Sequence, residues 1–367
     1  MAAEASNQTR VFVTDCEGPI SKNDNAFELA AEFVPKGDNF FALISKYDDI
    51  LADIVKKLGY KAGDTLRLIV PFLKAYGVTG QKMRTFSSKN VLLVPGAKNT
   101  LQLVQKLMPS FIVSTSYEQY IAELCELTDF PFSNAYCTRL NLDKYEITTE
   151  ETSWLKQIQQ ELAGLPQIQI PKGAVSVADF SGTDQQTIKR LDEIFWKELP
   201  KTESGKMLVE VNPVGGTEKA RSVEDIVTKL GCGFGDVMYV GDSITDAPAL
   251  CRVREGGGLA VSFNGNDYSV READVAVLSG NTVVTSVLAQ VFSRFGKEKV
   301  LQLVESWGVS GLEKFGVSAE LRVQMQTVFG KDFPQVELVT GDSLERLQAE
   351  SKVFRKTVRG EAIGKLG

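Results

Sequence analysis

The chain has no histidine among its 367 residues, so it lacks the side chain most often used for acid–base work and metal ligation near neutral pH. Serine–histidine–aspartate triads, HExxH zinc sites and histidine-ligated haem are excluded with it. Cysteine is scarce: Cys16, Cys125, Cys137, Cys232 and Cys251 are odd in number, scattered and never paired as CxxC. That argues against a disulfide framework, a zinc ribbon or a cysteine-ligated iron–sulfur cluster, and a reducing, cytoplasmic compartment is expected. No stretch of about 18 residues is continuously apolar, and the opening MAAEASNQTR has no basic segment leading into an apolar one, so neither a membrane span nor a signal peptide is expected. No long basic run occurs and the net charge is −6, which leaves nucleic acid without an electrostatic footprint. Phosphate loops of the GxxxxGK[ST] type are missing too. Gly231-Cys232-Gly233-Phe234-Gly235 follows a helical stretch rather than a strand, and so is a helix stop, not a dinucleotide loop.

What is present is an ordinary globular composition, 43% hydrophobic and 24% charged, in a chain long enough for two or three domains. Val11-Phe12-Val13-Thr14 has the look of a short buried strand that runs into Asp15-Cys16-Glu17-Gly18-Pro19. Helical spacing then takes over, with Ile44, Tyr47, Leu51, Ile54, Val55 and Leu58, followed by a second apolar run from Leu66 to Tyr76. A helix from Thr100 to Met108 leads to a buried strand, Phe111-Ile112-Val113, that ends in Ser114-Thr115-Ser116. Polar helices near 150–162 and 184–196 flank a strand-like Ile168-Gln169-Ile170. A helix from Lys219 to Leu230 precedes a strand at Val237–Val240, which runs into Gly241-Asp242-Ser243-Ile244-Thr245-Asp246. Two more strands are expected at Leu259–Phe263 and Val275–Leu278.

Strands alternating with crossover helices predict an α/β fold with a doubly wound parallel sheet. The expected organisation is a core from 1–20, 91–125 and 206–290, a helical cap at 21–90, a second insert at 126–205 and a helical C-terminal extension at 291–367. The extension carries Lys352, Arg355, Lys356, Arg359 and Lys365. Such a tail could meet an acidic protein partner, but a solvated helix face is the stronger expectation.

In an open parallel sheet the carboxyl ends of the strands line the crevice where ligands bind. Asp15, Glu17, Ser114, Asp242 and Asp246 fall at such ends, and Lys219 opens the helix before the third strand. Phosphoryl transfer needs a nucleophile, a cation to neutralise charge and donors for the equatorial oxygens. A carboxylate such as Asp15 can attack phosphorus if it is kept ionised, and Glu17 can protonate the leaving oxygen if its own pKa is raised.

These four segments, in this order, resemble the motifs of the haloacid dehalogenase superfamily of aspartate-dependent phosphohydrolases, and within it the phosphoserine-phosphatase-like branch with a helical cap. The resemblance implies a Rossmannoid core and a Mg²⁺-dependent phosphatase acting on a small phosphorylated metabolite. It implies a phosphoaspartyl intermediate on Asp15, general acid–base work by Glu17, and phosphate held by Ser114, Thr115, Lys219 and Gly18. Metal would be held by Asp15, Asp242, the backbone carbonyl of Glu17 and, through water, Asp246. Glu17 stands where the family commonly has Asp. The DCEGPI opening and the long tail also resemble an archaeal group of the superfamily labelled as a subunit associated with an energy-converting hydrogenase. Transfer of the phosphoryl group to another acceptor, in a phosphotransferase or mutase, uses the same residues. From a different class comes a catalytically weak subunit of a larger complex.

Overall fold

The computed structural model describes residues 9–364. The opening residues 1–8 and Lys365 lie outside the described residues, and the expectations placed on them lie outside with them. Seven strands form one sheet: β1 (Val11–Thr14), β2 (Ser110–Tyr117), β3 (Ala135–Thr138), β4 (Val237–Gly241), β5 (Leu259–Phe263), β6 (Val275–Leu278) and β7 (Gln335–Leu338). They lie in the order β3-β2-β1-β4-β5-β6-β7. All neighbours are parallel except β6 and β7, which pair antiparallel. The α/β class and the doubly wound sheet are therefore as expected from the sequence.

β1 is buried along its whole length, as an unbroken apolar run in a parallel sheet covered on both faces must be. Its side chains alternate between two cores. Val11 and Val13 join Val223, Ile226 and Leu250 on one face, while Phe12 joins Val284, Leu288 and Phe292 on the other. The strand order reverses between β1 and β4, and at such a switch point the two outgoing connections diverge and leave a crevice. Asp15 follows β1 and Asp242 follows β4, so both stand at its mouth.

Two expectations about organisation are corrected. The insert was expected to begin at 126, but Ala135–Thr138 is β3 and pairs with β2, so the core runs on to Thr138 before the insertion begins. Nor do the two inserts form separate bodies. Residues from 26–83 and from 140–211 share one hydrophobic cluster, and hydrogen bonds cross between them. Tyr76 donates to Gln159 (2.8 Å), Gln159 donates to the carbonyl of Pro35 (2.8 Å), and Trp196 donates to the Tyr47 hydroxyl (2.7 Å). The cap is thus one helical domain built from both insertions, and it runs on to Val211, past the expected return to the core at 206. Asp24, Thr79, Thr148 and Ser181 cap its helices by accepting a backbone N–H in the first turn, satisfying donors that would otherwise lack partners. Ile168 is buried in this cap, but the segment around it forms no strand. The extension after 290 is not wholly helical either, since it supplies β7.

Candidate active site

β1 delivers Asp15 to the switch point. The Asp15 amide continues the ladder to the Val240 carbonyl (2.8 Å), and its Oδ1 accepts from the Cys16 amide (2.7 Å). The chain then turns tightly at Gly18, whose φ is 110° and whose own N–H donates to the Ser21 carbonyl (2.7 Å). A Cβ on Gly18 would overlap the Asp242 carboxylate, so only glycine lets β1 and β4 bring their acids this close. The Gly18 amide is spent on this turn, and its role here is steric.

Lys219 lies in the first turn of helix Thr217–Leu230 and is wholly buried. Its ammonium stands 2.8 Å from Asp15 Oδ2 and 2.7 Å from Asp246 Oδ1. Burial works against its charge, but Asp15 and Asp246 outweigh that and raise its pKa above the ordinary lysine value. Asp246 also accepts from the Tyr239 hydroxyl (2.8 Å), the amides of Asp242 (3.1 Å) and Ser243 (3.0 Å), and the Ser243 hydroxyl (3.1 Å). Burial opposes its ionisation, yet Lys219, Tyr239 and the Asp242 amide hold its pKa below the usual carboxylate value. Asp15 goes the other way. Burial and the Asp246 carboxylate push its pKa up against the pull of Lys219, with Asp242 adding to the rise, to about 8.

Asp15, Asp242 and Asp246 each place a carboxylate oxygen within 4.8 Å of the others, all buried. An all-oxygen, acid-rich set of this kind fits a hard divalent cation such as Mg²⁺. The Glu17 side chain is not in that cluster. Its Oε1 accepts from the Asn25 amide (2.7 Å) at the start of cap helix Asn25–Phe33, and so ties the core turn to the cap. Burial and the neighbouring Asp24 raise its pKa well above the ordinary value, over the opposing pull of the Asn25 amide and Arg359.

Ser114, Thr115 and Ser116 sit in β2 beside a register shift against β3 that spans Ser114 to Tyr117; irregularities of this kind re-aim side chains near active sites. Ser114 Oγ accepts from the Ser116 amide (3.2 Å), while the Thr115 hydroxyl donates to the Val214 carbonyl (3.1 Å) and is committed there. Ser116 Oγ is buried and finds no partner among the described residues. A cavity of about 100 Å³ joins Asp15, Ser114, Ser116 and Asp242 to the cap residues Asp48 and Thr65. Asp48 holds that cap loop by accepting from the Tyr60 hydroxyl (2.6 Å) and the amides of Gly63 (2.8 Å) and Thr65 (3.1 Å). A Cβ on Gly63 would lie 2.8 Å from the Thr115 methyl and 3.2 Å from that of Thr245. The cap therefore rests directly on the core over the site.

Sequence reasoning missed Arg355 and Arg359. Both come from the C-terminal helix Leu344–Arg359, line the same cavity and pair with the Asp242 carboxylate, Arg359 at 3.1 Å. The tail's charges are thus not all solvated, as had been expected. A signal was available: Leu347, Ser351, Arg355 and Arg359 repeat every four residues, one stripe of a helix.

With the helical cap in place, the class defined by fold and site is a capped α/β protein with a carboxylate–lysine centre at its switch point. Over nearly its whole length the chain is similar to a solved structure, that of gene product AF1437 from Archaeoglobus fulgidus. The two are 27% identical with a TM-score of 0.79 over 98% of this chain and 99% of that one. Weaker likenesses join it to a substrate-bound phosphoserine phosphatase complex (15% identity, TM-score 0.43, 77% of this chain and 98% of that one). A phospho-aspartyl intermediate analogue of phosphoserine phosphatase is similar at 14% identity and a TM-score of 0.42, over 73% of this chain and 93% of that one. No family model matches the chain. No curated protein matches it either. No helix among the described residues is long and apolar enough to cross a membrane.

Proposed function

We propose that the protein is a phosphomonoesterase of the haloacid dehalogenase type that works through a phosphoaspartyl intermediate on Asp15. The observation that carries this reading is the ion triad Asp15–Lys219–Asp246, buried at the switch point beside Asp242. In it a carboxylate oxygen lies at the edge of a cavity with a fixed ammonium 2.8 Å away. Asp15 attacks the phosphorus and the ester oxygen leaves. Lys219 holds charge that builds on the phosphoryl oxygens, and Ser114 and Ser116 offer hydroxyls to them. Glu17, protonated because its pKa is raised, gives its proton to the leaving oxygen and takes one from the water that later hydrolyses the acyl phosphate.

Asp15, Asp242 and Asp246, with the Glu17 backbone carbonyl that the resemblance implies, would hold Mg²⁺. Once bound, the ion would lower the pKa of Asp15 and neutralise phosphoryl charge. The cavity, at about 100 Å³, is well below the roughly 300 Å³ at which pockets for larger ligands begin, so the substrate is a small phosphorylated metabolite. If the phosphoryl group passes to the hydroxyl of another substrate in place of water, the same intermediate gives transfer instead of hydrolysis. The test is phosphate release from a panel of small phosphate esters with Mg²⁺ or EDTA, for the native protein and Asp15→Asn. Turnover that needs both the metal and Asp15 supports hydrolysis. Phosphoester formation only when an alcohol acceptor is added supports transfer.

A further inference from the structure

The C-terminal helix Leu344–Arg359 is seated on the core by one stripe. Leu347 packs with Val270 and Ala276, and the Ser351 hydroxyl donates to the Gly265 carbonyl (2.6 Å). The next two residues of the stripe are arginines. Arg355 Nη1 donates to the Asp242 carbonyl (3.1 Å) and to its carboxylate Oδ2, and Arg359 Nη1 reaches the same Oδ2 at 3.1 Å. Arg359 is further held by the carbonyls of Lys22 (3.2 Å) and Asn23. Both side chains are all but removed from solvent, 4% and 5% exposed.

Asp15, Asp242 and Asp246 bring three acidic side chains together, with Lys219 paired to Asp15 and Asp246. The two guanidinium groups place two positive charges on Asp242, one of the side chains that would bind the cation. An arginine cannot shed its proton to make way, and in a buried site the repulsion between guanidinium and cation is screened little. The Arg355 seat is also incomplete. Its Nε is buried and has no hydrogen-bond partner among the described residues, a cost that a second position of the side chain would remove.

We propose that Arg355 and Arg359 stand in for the divalent cation at Asp242, and that cation and arginines exchange, so that metal binding unseats the end of the C-terminal helix. This rests on the reading of Asp15, Asp242 and Asp246 as a cation site. It adds that the chain's own tail sets the affinity of that site. Coupling of this kind is reciprocal: whatever draws the helix away tightens metal binding by the same factor as metal binding loosens the helix.

The test needs no substrate. Mn²⁺ binding is measured by calorimetry on the full chain, on Arg355→Met/Arg359→Met and on Arg355→Lys. In parallel, hydrogen exchange is followed for the peptide covering 344–359 of the native protein with and without Mn²⁺. The double methionine variant is expected to bind at least tenfold tighter, Arg355→Lys to stay near native affinity, and exchange in 344–359 to rise on adding metal. Equal or weaker binding by the double variant, or a helix whose exchange falls or stays the same with metal, overturns the proposal. If the double variant does not fold, the exchange experiment on the native protein decides alone. Phosphate release is scored separately, so an active phosphatase that fails these measurements keeps its proposed function and loses only the exchange.

Discussion

The ammonium of Lys219 stands 2.8 Å from Asp15 Oδ2, and the two side chains are 0% and 6% exposed. The same ammonium serves Asp246, so one cation holds two buried carboxylates. Removing one partner of a buried ion set costs about 3 kcal/mol or more, because the charge left behind has lost both water and counter-ion. Lys219→Met is therefore expected to lower the urea midpoint strongly at neutral pH and to abolish phosphate release. The stability loss shrinks as pH falls and the orphaned Asp246 carboxylate, no longer held ionised by Lys219, takes up a proton. A midpoint equal to the native one at neutral pH would show that the pair does not hold the site together.

Asp15, the proposed nucleophile, is strained electrostatically. Burial and its acidic neighbours push its pKa up to about 8 in the metal-free protein, so at neutral pH a neutral isostere is favoured over the carboxylate. Asp15→Asn is expected to raise the melting midpoint in EDTA, by a few degrees or so, while removing activity. Thermal melts of the two proteins check this, and a lower midpoint for Asp15→Asn contradicts it.

Glu17, the proposed general acid, also ties the core to the cap through its 2.7 Å contact with the Asn25 amide. Glu17→Gln keeps an oxygen for that amide but loses the proton, and should lower turnover by about 10² or more with the Michaelis constant little changed. Glu17→Asp, shorter by roughly 1.5 Å, keeps the acid but breaks the contact, and should raise the Michaelis constant as the cap loosens. Steady-state kinetics on any turned-over ester separates the two. The opposite split would reverse the roles.

In the cap, burial pushes Asp48 up to about 7, against hydrogen bonds from Tyr60 and Gly63, and pushes Glu28 up to about 7, against a hydrogen bond from Asn23. Their unfolded values are near 3.8 and 4.5, so between those values and 7 the folded chain binds more protons than the unfolded one. Stability from these groups is complete below the unfolded values and lost as pH rises through about 7. Urea midpoints in EDTA should fall from about pH 5 to about pH 8, and Asp48→Asn should flatten part of that slope. A midpoint that rises over this range contradicts the assignment.

The parts of the molecule most legible in the sequence were those whose cause is local. β1 and β4 are unbroken apolar runs that stop at an aspartate, and the helix carrying Lys219 has one apolar stripe closed by Gly231, whose φ of 65° suits a helix stop. β3 was missed because Ala135–Thr138 is a four-residue edge strand of mixed polarity with no alternation to reveal it. The union of the two insertions into one cap depends on contacts such as Trp196 to Tyr47, which leave no local pattern. Arg355 and Arg359 were hidden for a different reason. In a helix rich in charge a buried arginine looks like an exposed one until its partner, Asp242, more than a hundred positions away, is brought beside it. For Thr115 and Gly18, whose polar groups bond to Val214 and Ser21, the sequence could name the motif but not how its atoms were already used.

The most direct test of the phosphoaspartyl reading is to trap the intermediate. The native protein and Asp15→Asn are mixed with p-nitrophenyl phosphate and Mg²⁺, quenched in acid within the first turnovers, digested and analysed by mass spectrometry. The expected result is a phosphoryl adduct on the peptide carrying Asp15 in the native protein and none in Asp15→Asn. Phosphate release without that adduct, or release that survives in Asp15→Asn, would contradict the account.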